Sequence, residues 1–122
     1  MTGRGAPDPI ADEIAEAIGA CRRLRLVYTR KADGVTSIHE VAPVDIRPGD
    51  TPATATNEYL WAWCFAEDKL ERHLLDRVRS VEILPTRFEP AEILARWPSG
   101  WPQPSTWRIG RTWAMRGQDR LD

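Results

Sequence analysis

The sequence lacks the marks of several protein classes. Its two cysteines, Cys21 and Cys64, are far apart, so they supply neither a disulfide framework nor a zinc-binding pair, and such sparse use fits a reducing compartment. No apolar run approaches the roughly 20 residues that a membrane span needs, and the N-terminus has no apolar core of the kind found in secretion signals. Phosphate-binding loops, zinc patterns and dinucleotide fingerprints are absent as well. We therefore expect a cytoplasmic protein that binds no metal or cofactor and does not contact a membrane.

Net charge is also nearly absent. The 122 residues carry a formal charge of −1, with 42% apolar and 29% charged residues, a composition that is ordinary for one globular domain. Such a balance gives no overall attraction to nucleic acid. The basic residues are unevenly placed, however, because residues 96–122 hold five arginines against two aspartates. This C-terminal segment therefore has a net charge of +3 and leaves −4 on the remainder.

Hydrophobic periodicity predicts one helix followed by five strands. Apolar residues recur at helical spacing over about 9–21, directly after Asp8, which is a suitable N-cap. From Leu24 the period changes to two through five short segments, with a turn at 32–34 and an edge, a bulge or a sharp bend at Pro43. Short, closely spaced strands after a helix are typical of a small, strongly bent sheet or barrel. We therefore expect a mainly β fold.

The segment NEYLWAWCF at 57–65 is apolar on both faces of a strand, since strand side chains alternate. The aromatic face consists of Tyr59, Trp61, Trp63 and Phe65. The small face consists of Leu60, Ala62 and Cys64, which suit a tight interior. We expect the small face to point inward and the aromatic face to lie under a second layer. In the alternative interpretation, one or two of the aromatic rings stack on a base or nucleotide.

Four motifs follow one another between residues 14 and 88. An apolar strand, CRRLRLVYTR, ends near Tyr28; a strand with Val41-x-Pro43 follows; EYLWAWC comes next; and LLDRVRSVEIL closes the series. In this order they resemble the WYL domain, named for a Trp-Tyr-Leu tripeptide whose Trp is replaced here by Glu58. The resemblance implies an Sm-like, SH3-type five-stranded β-barrel with an N-terminal α-helix. The chain would add an irregular Trp/Pro-rich C-terminal extension to this fold.

The resemblance also implies a function. By this resemblance, the chain is expected to be a ligand-sensing module of the kind found in bacterial regulators, usually behind a winged helix-turn-helix. Nucleic acid fragments or nucleotides are the favoured ligands. Such a module would act on transcription or on a partner that acts on nucleic acid, and it would not be an enzyme. With about eight residues before its first helix, the chain is not expected to read DNA sequence by itself. The predicted ligand-binding residues are Tyr28, His39, Tyr59, Arg72, His73 and Arg77.

Several family positions differ in this chain. His39 stands where the family often has Arg, and Glu71, His73 and Leu74 replace an Arg-x-Phe-Arg pattern. Arg77 matches the Leu-Asp-Arg-Ile signature. These departures predict a weaker positive field at the usual patch. Arg77 is the preferred single anion ligand because it is the residue that matches the signature. The alternative for Arg77 is an ion pair with Asp76 or Glu82.

Two interpretations of the polar residues remain open. Arg25, Arg79 and the basic residues among the predicted ligands form either a solvated face with weak surface ion pairs or an anion site. A Cys-His-Asp enzyme built from Cys64, a histidine and Asp76 is disfavoured, because no motif around Cys64 would activate the thiol.

The C-terminal tryptophans are the candidate interaction surface: Trp97, Trp101, Trp107 and Trp113. We expect them first to cover the aromatic face of their own domain, second to exchange across a homodimer, and third to bind nucleic acid. The alternative function is therefore a protein–protein interaction or dimerisation module with a regulatory partner. The predicted boundaries are a flexible 1–8, a domain at 9–90 and an extension at 91–122.

Overall fold

The computed structural model describes residues 9–101, 103 and 106–110. Its elements are α1 (Pro9–Ala20), β1 (Arg22–Thr29), β2 (Thr36–Pro48), β3 (Glu58–Cys64), β4 (Lys69–Leu74), a 3-10 turn (Leu75–Arg77), β5 (Val78–Arg87) and α2 (Pro90–Ala95). The helix and the five predicted strands are confirmed, while the predicted N-cap Asp8 lies outside the described residues. No helix in the described part of the chain is long and apolar enough to cross a membrane.

The five strands form one antiparallel sheet in the order β4-β3-β2-β1-β5. This order leaves β4 and β5 at the two edges, so the sheet is not closed into the barrel that the sequence led us to expect. The reason is local: the chain passes from β4 to β5 through the 3-10 turn at Leu75–Arg77, and no backbone ladder joins these two described strands. At the end of β4, the Leu74 N–H instead donates a hydrogen bond to Tyr28 Oη of β1 at 3.1 Å.

Strand β2 is the long central strand of the sheet. Its first half pairs with β1 and its second half with β3. The register of the β2–β3 ladder shifts between Pro43 and Asp45, so of the three alternatives predicted at this proline the structure shows a bulge-like shift. The edge alternative is wrong, because β2 lies inside the sheet. Beyond the bulge, Asp45 pairs with Trp61 and therefore lies on the aromatic face of the sheet.

Each face of the sheet carries its own apolar cluster. The inner cluster joins α1 to the small face of β3: Ile14, Ala17, Ile18, Leu24, Leu26, Val41, Ile46, Leu60, Ala62, Cys64 and Val78. The outer cluster joins the aromatic face to the C-terminal segment: Cys21, Ala42, Val44, Trp61, Trp63, Phe88, Ile93 and Trp107. The inward direction predicted for the small face is therefore confirmed.

Candidate ligand site on the two faces of the sheet

The register of β4 divides the predicted ligand residues between the two faces of the sheet. His73 pairs with Leu60, so its side chain belongs to the inner face, whereas Arg72 pairs with Trp61 and belongs to the aromatic face. Tyr59 lies on the same aromatic face as Trp61 because it is two residues away on one strand. The predicted set is therefore two separate groups and not one patch.

The inner group brings three predicted residues together. The Tyr28 and His73 ring centroids are 4.8 Å apart, and those of His39 and His73 are 5.2 Å apart. Glu71 joins them, with its Oε1 3.0 Å from His73 Nε2 and 3.9 Å from His39 Nδ1. We call Tyr28, His39, Glu71 and His73 the histidine cluster. Because the negative charge of the Glu71 carboxylate lies beside both imidazoles, this cluster is a poor site for an anion.

Burial decides the protonation state of His73. The residue is only 4% exposed, and removal from water lowers the pKa of its imidazole. Repulsion by His39 lowers this pKa further, while attraction and a hydrogen bond from Glu71 oppose the shift. His73 is consequently neutral near pH 7.

The carboxylate that lies beside these histidines is Glu71, whereas the sequence led us to consider Asp76 for a Cys-His-Asp arrangement.

The tryptophans of the C-terminal segment cover the aromatic face. Trp61 and Trp63 are 6% and 7% exposed. The Trp61 ring lies 6.2 Å from that of Trp97 and 4.9 Å from that of Trp101, and Trp97 lies 4.5 Å from Trp107. Packing on the chain's own sheet, the first of our three expectations, is confirmed for these residues. Trp113 lies outside the described residues.

A buried carboxylate holds the described residues that follow α2 (96–101, 103 and 106–110), which we call the covering segment, to the sheet. Asp45 is completely buried, and its oxygens accept hydrogen bonds from the N–H groups of Arg108 and Ile109 at 2.8 and 2.7 Å. Arg47 adds a hydrogen bond from Nη1 to the carbonyl oxygen of Thr106 at 2.6 Å. Sequence reasoning missed Asp45, and its only signal was an acidic residue between the apolar residues Val44 and Ile46.

An open cleft lies between the sheet and the covering segment. It has a volume of about 190 Å³ and is lined by Asp50, Trp61, Arg72, Gly100 and Trp101. The Arg72 guanidinium carbon lies 5.7 Å from the centre of the Trp101 ring, and Arg72 Nη1 is 3.8 Å from Asp50 Oδ2. Planar aromatic walls beside an arginine fork can hold a flat ring together with an anionic group. Of the predicted ligand residues, only Arg72 lines this cleft.

Arg77 and the other arginines of the polar set, Arg25 and Arg79, do not line the cleft. Arg77 is half-buried in the 3-10 turn, and among the described residues it forms no ion pair with Asp76 or Glu82. Glu82 instead pairs with Arg25, with 2.9 Å between Nη1 and Oε1. Arg79 donates a hydrogen bond to Thr29 Oγ1 at 3.1 Å. A ligand role for Arg77 and for Tyr59 therefore stays a prediction.

Comparison with known proteins places this geometry in a family. The model of the WYL domain matches residues 9–83, which is more than half of the chain. The chain belongs to the WYL domain family. The matched region contains α1, β1 to β4 and most of β5, so the resemblance drawn from the sequence motifs is confirmed.

A solved structure supports the fold assignment. The chain is similar to proteasome accessory factor B/C (PafBC) of Arthrobacter aurescens, with a TM-score of 0.60 and 22% identity over 76% of this chain. The matched part makes up 13% of the PafBC chain, so the likeness concerns the fold of one region of that protein. No curated protein matches the sequence significantly.

Proposed function

We propose that this WYL domain is a ligand-sensing regulatory module that binds a nucleotide or a short single-stranded nucleic acid fragment in the cleft between the sheet and the covering segment. The observation that carries the proposal is the position of Arg72. Its side chain is 49% exposed and lies beside the rings of Trp61 and Trp101 in the cleft.

The chemistry of the cleft matches the parts of a nucleotide. An arginine fork binds a phosphate through two parallel N–H···O hydrogen bonds, and stacking of a base on an aromatic side chain contributes about 1–3 kcal/mol. The phosphate would replace the Asp50 carboxylate, 3.8 Å away, as the partner of Arg72. The volume of about 190 Å³ is below the roughly 300 Å³ at which pockets for drug-sized ligands begin. The cleft itself therefore holds one base or one phosphate, and the rest of the nucleotide would lie across its open side, whereas a duplex does not fit.

The sensing mechanism follows from the two walls of the cleft. Trp61 and Arg72 belong to the sheet, whereas Gly100 and Trp101 belong to the covering segment. A ligand that contacts both walls favours one position of the segment over others, and a shift of that population changes the surface presented to a partner. Transcription, or a protein that acts on nucleic acid, would be regulated through this surface.

The test is fluorescence anisotropy of labelled single-stranded DNA with the full chain across a salt series. We expect binding that weakens with salt, as phosphate contacts require, and an affinity that falls by about 10-fold or more in Arg72→Ala. Arg79→Ala is the matched control, because it removes the same charge from an exposed position on β5, and it should change the affinity little. Arg77→Ala in the same series tests the arginine preferred from the sequence.

The outcomes separate the proposal from its alternative. Equal affinities of the wild type, Arg72→Ala and Arg79→Ala would contradict a site at the cleft. Absence of DNA binding at low salt, together with a salt-insensitive dimer in light scattering, would favour the interaction module. A dimer of that kind could use Val35 and Ile38, the large apolar side chains that are exposed (51% and 69%) in the described chain.

A further inference from the structure

We propose that His39, Cys64 and Glu71 form a binding site for a divalent transition-metal ion, with Zn²⁺ as the ion that their donor atoms favour. The three residues belong to β2, β3 and β4, which are adjacent strands of the sheet. Cys64 pairs with Val41, two residues from His39, and Glu71 pairs with Ala62, two residues from Cys64. Alternation along each strand therefore directs all three side chains to the inner face.

The donor atoms are close enough for one ion. One ligand atom from each of His39, Cys64 and Glu71 lies within 4.8 Å of the other two, and His39 Nδ1 is 3.9 Å from Glu71 Oε1. Zinc bonds of about 2.0–2.3 Å in tetrahedral geometry place the ligands of one ion about 3.3–3.8 Å apart. Side-chain movements of about 1 Å bring the three donors to that spacing.

The combination of donors selects the class of metal. Imidazole nitrogen, thiolate sulfur and carboxylate oxygen are the three donor types of protein zinc sites, whereas Mg²⁺ and Ca²⁺ bind oxygen ligands. The carboxylate and the thiolate together balance the charge of a divalent ion, which suits a site whose cysteine is 1% exposed. Binding would release the Cys64 thiol proton to solvent, because the thiolate is the ligand. Three protein ligands leave the fourth position for water.

The surroundings of the three residues contain the hydrogen bonds that orient metal ligands. Nε2 of His39 lies 2.7 Å from Ser37 Oγ, so Nε2 can donate a proton there and leave the lone pair of Nδ1 for the ion. Oε1 of Glu71 is bonded to His73 Nε2 at 3.0 Å. Partners of this kind fix the direction and tautomer of metal ligands. The His73 side chain is 5% exposed, and its Nδ1 has no hydrogen-bond partner in the described part of the chain.

The proposed metal site is independent of the nucleotide cleft. Its residues lie on the inner face, whereas Arg72 and Trp61 lie on the aromatic face. Loss of DNA binding in Arg72→Ala therefore neither supports nor contradicts the metal site, and each proposal has its own readout.

The experiment is a titration of the reduced full chain with Co²⁺, followed by displacement with Zn²⁺. We expect one Co²⁺ per chain, with the charge-transfer absorption of a cobalt–thiolate bond, and loss of this band when Zn²⁺ is added. Cys64→Ser should abolish the band. Cys21→Ser is the matched control, since Cys21 is the other buried cysteine and lies in the outer cluster, and it should keep the band. Excess Mg²⁺ should not compete.

Two half-buried ligands keep the proposal testable if Cys64→Ser fails to fold. His39→Asn and Glu71→Gln each alter a proposed ligand and are expected to weaken Co²⁺ binding at least about 10-fold, because loss of even an outer-shell partner typically costs about 10–100-fold in metal affinity. Absence of a thiolate band in the wild type would overturn the proposal. So would a band that survives Cys64→Ser or disappears in Cys21→Ser, and so would unchanged Co²⁺ affinity in both His39→Asn and Glu71→Gln.

Discussion

The two faces of the sheet are covered in different ways. The inner face is covered by α1, which buries Ile14, Ala17 and Ile18 through regular apolar spacing. The outer face is covered by the short helix α2, which buries Ile93, and by an irregular segment that follows it. The tryptophans of this segment contact Trp61, and its backbone is held by Asp45. A helix satisfies its own backbone hydrogen bonds, whereas an irregular segment must find partners elsewhere. On the outer face the buried carboxylate of Asp45 supplies these partners.

The largest effect is expected from the inner face. Leu60 is completely buried in the inner cluster, so Leu60→Ala should lower the free energy of unfolding by about 2–5 kcal/mol through lost burial and a cavity. Tryptophan emission before the transition should stay as in the wild type, because the covering segment is on the other face. Urea unfolding followed by circular dichroism and fluorescence measures both quantities. A shift of the emission maximum in the folded baseline would show that the two faces are coupled.

A smaller loss is expected from the residue that holds the outer cover. Asp45→Ala leaves the backbone N–H groups of Arg108, Ile109 and Gly110 without their acceptor, and unmade hydrogen bonds to a buried charged group cost about 1.5–3 kcal/mol. The folded-state emission should shift to longer wavelength as Trp97, Trp101 and Trp107 become more exposed. Asp50→Ala, which removes an exposed carboxylate from the cleft, should leave the emission maximum nearly unchanged. Identical emission spectra for Asp45→Ala and the wild type would contradict the role assigned to Asp45.

The smallest of the three effects is expected at a close contact between segment and sheet. A Cβ added at Gly110 would overlap the carbonyl oxygen of Val44, whereas one at Gly100 would meet nothing within 4 Å. Gly110→Ala should therefore destabilise the docked segment by about 1–3 kcal/mol, the range for overpacking. Limited proteolysis should cut Gly110→Ala faster than Gly100→Ala. Equal cleavage rates would mean that the segment moves to accommodate the methyl group at no measurable cost.

Sequence reasoning recovered the elements and the orientation of β3. Alternation in EYLWAWC separates small from aromatic residues, and the proline in β2 marks the bulge, because both signals are local. The prediction of a closed barrel was wrong. Closure requires the two edge strands, β4 and β5, to pair with each other, and no local sequence pattern determines whether they do. The candidate ligand residues were identified individually, but their division between faces follows from the pairing of Trp61 with Arg72 and of Leu60 with His73. A shift of the pairing register by one residue would move every side chain of a strand to the opposite face of the sheet.

By itself, the sequence determined the helix, the five strands, the family and the need for a cover over the aromatic face, because periodicity, turn residues and apolar content act over short separations. Only the tertiary structure decided which distant residues meet. It brought Asp45 to the backbone of Arg108 and Ile109, 63 and 64 residues away, and it gathered His39, Cys64 and Glu71 from three strands. Such meetings depend on strand register and on the path of the chain, and neither is encoded in any short motif.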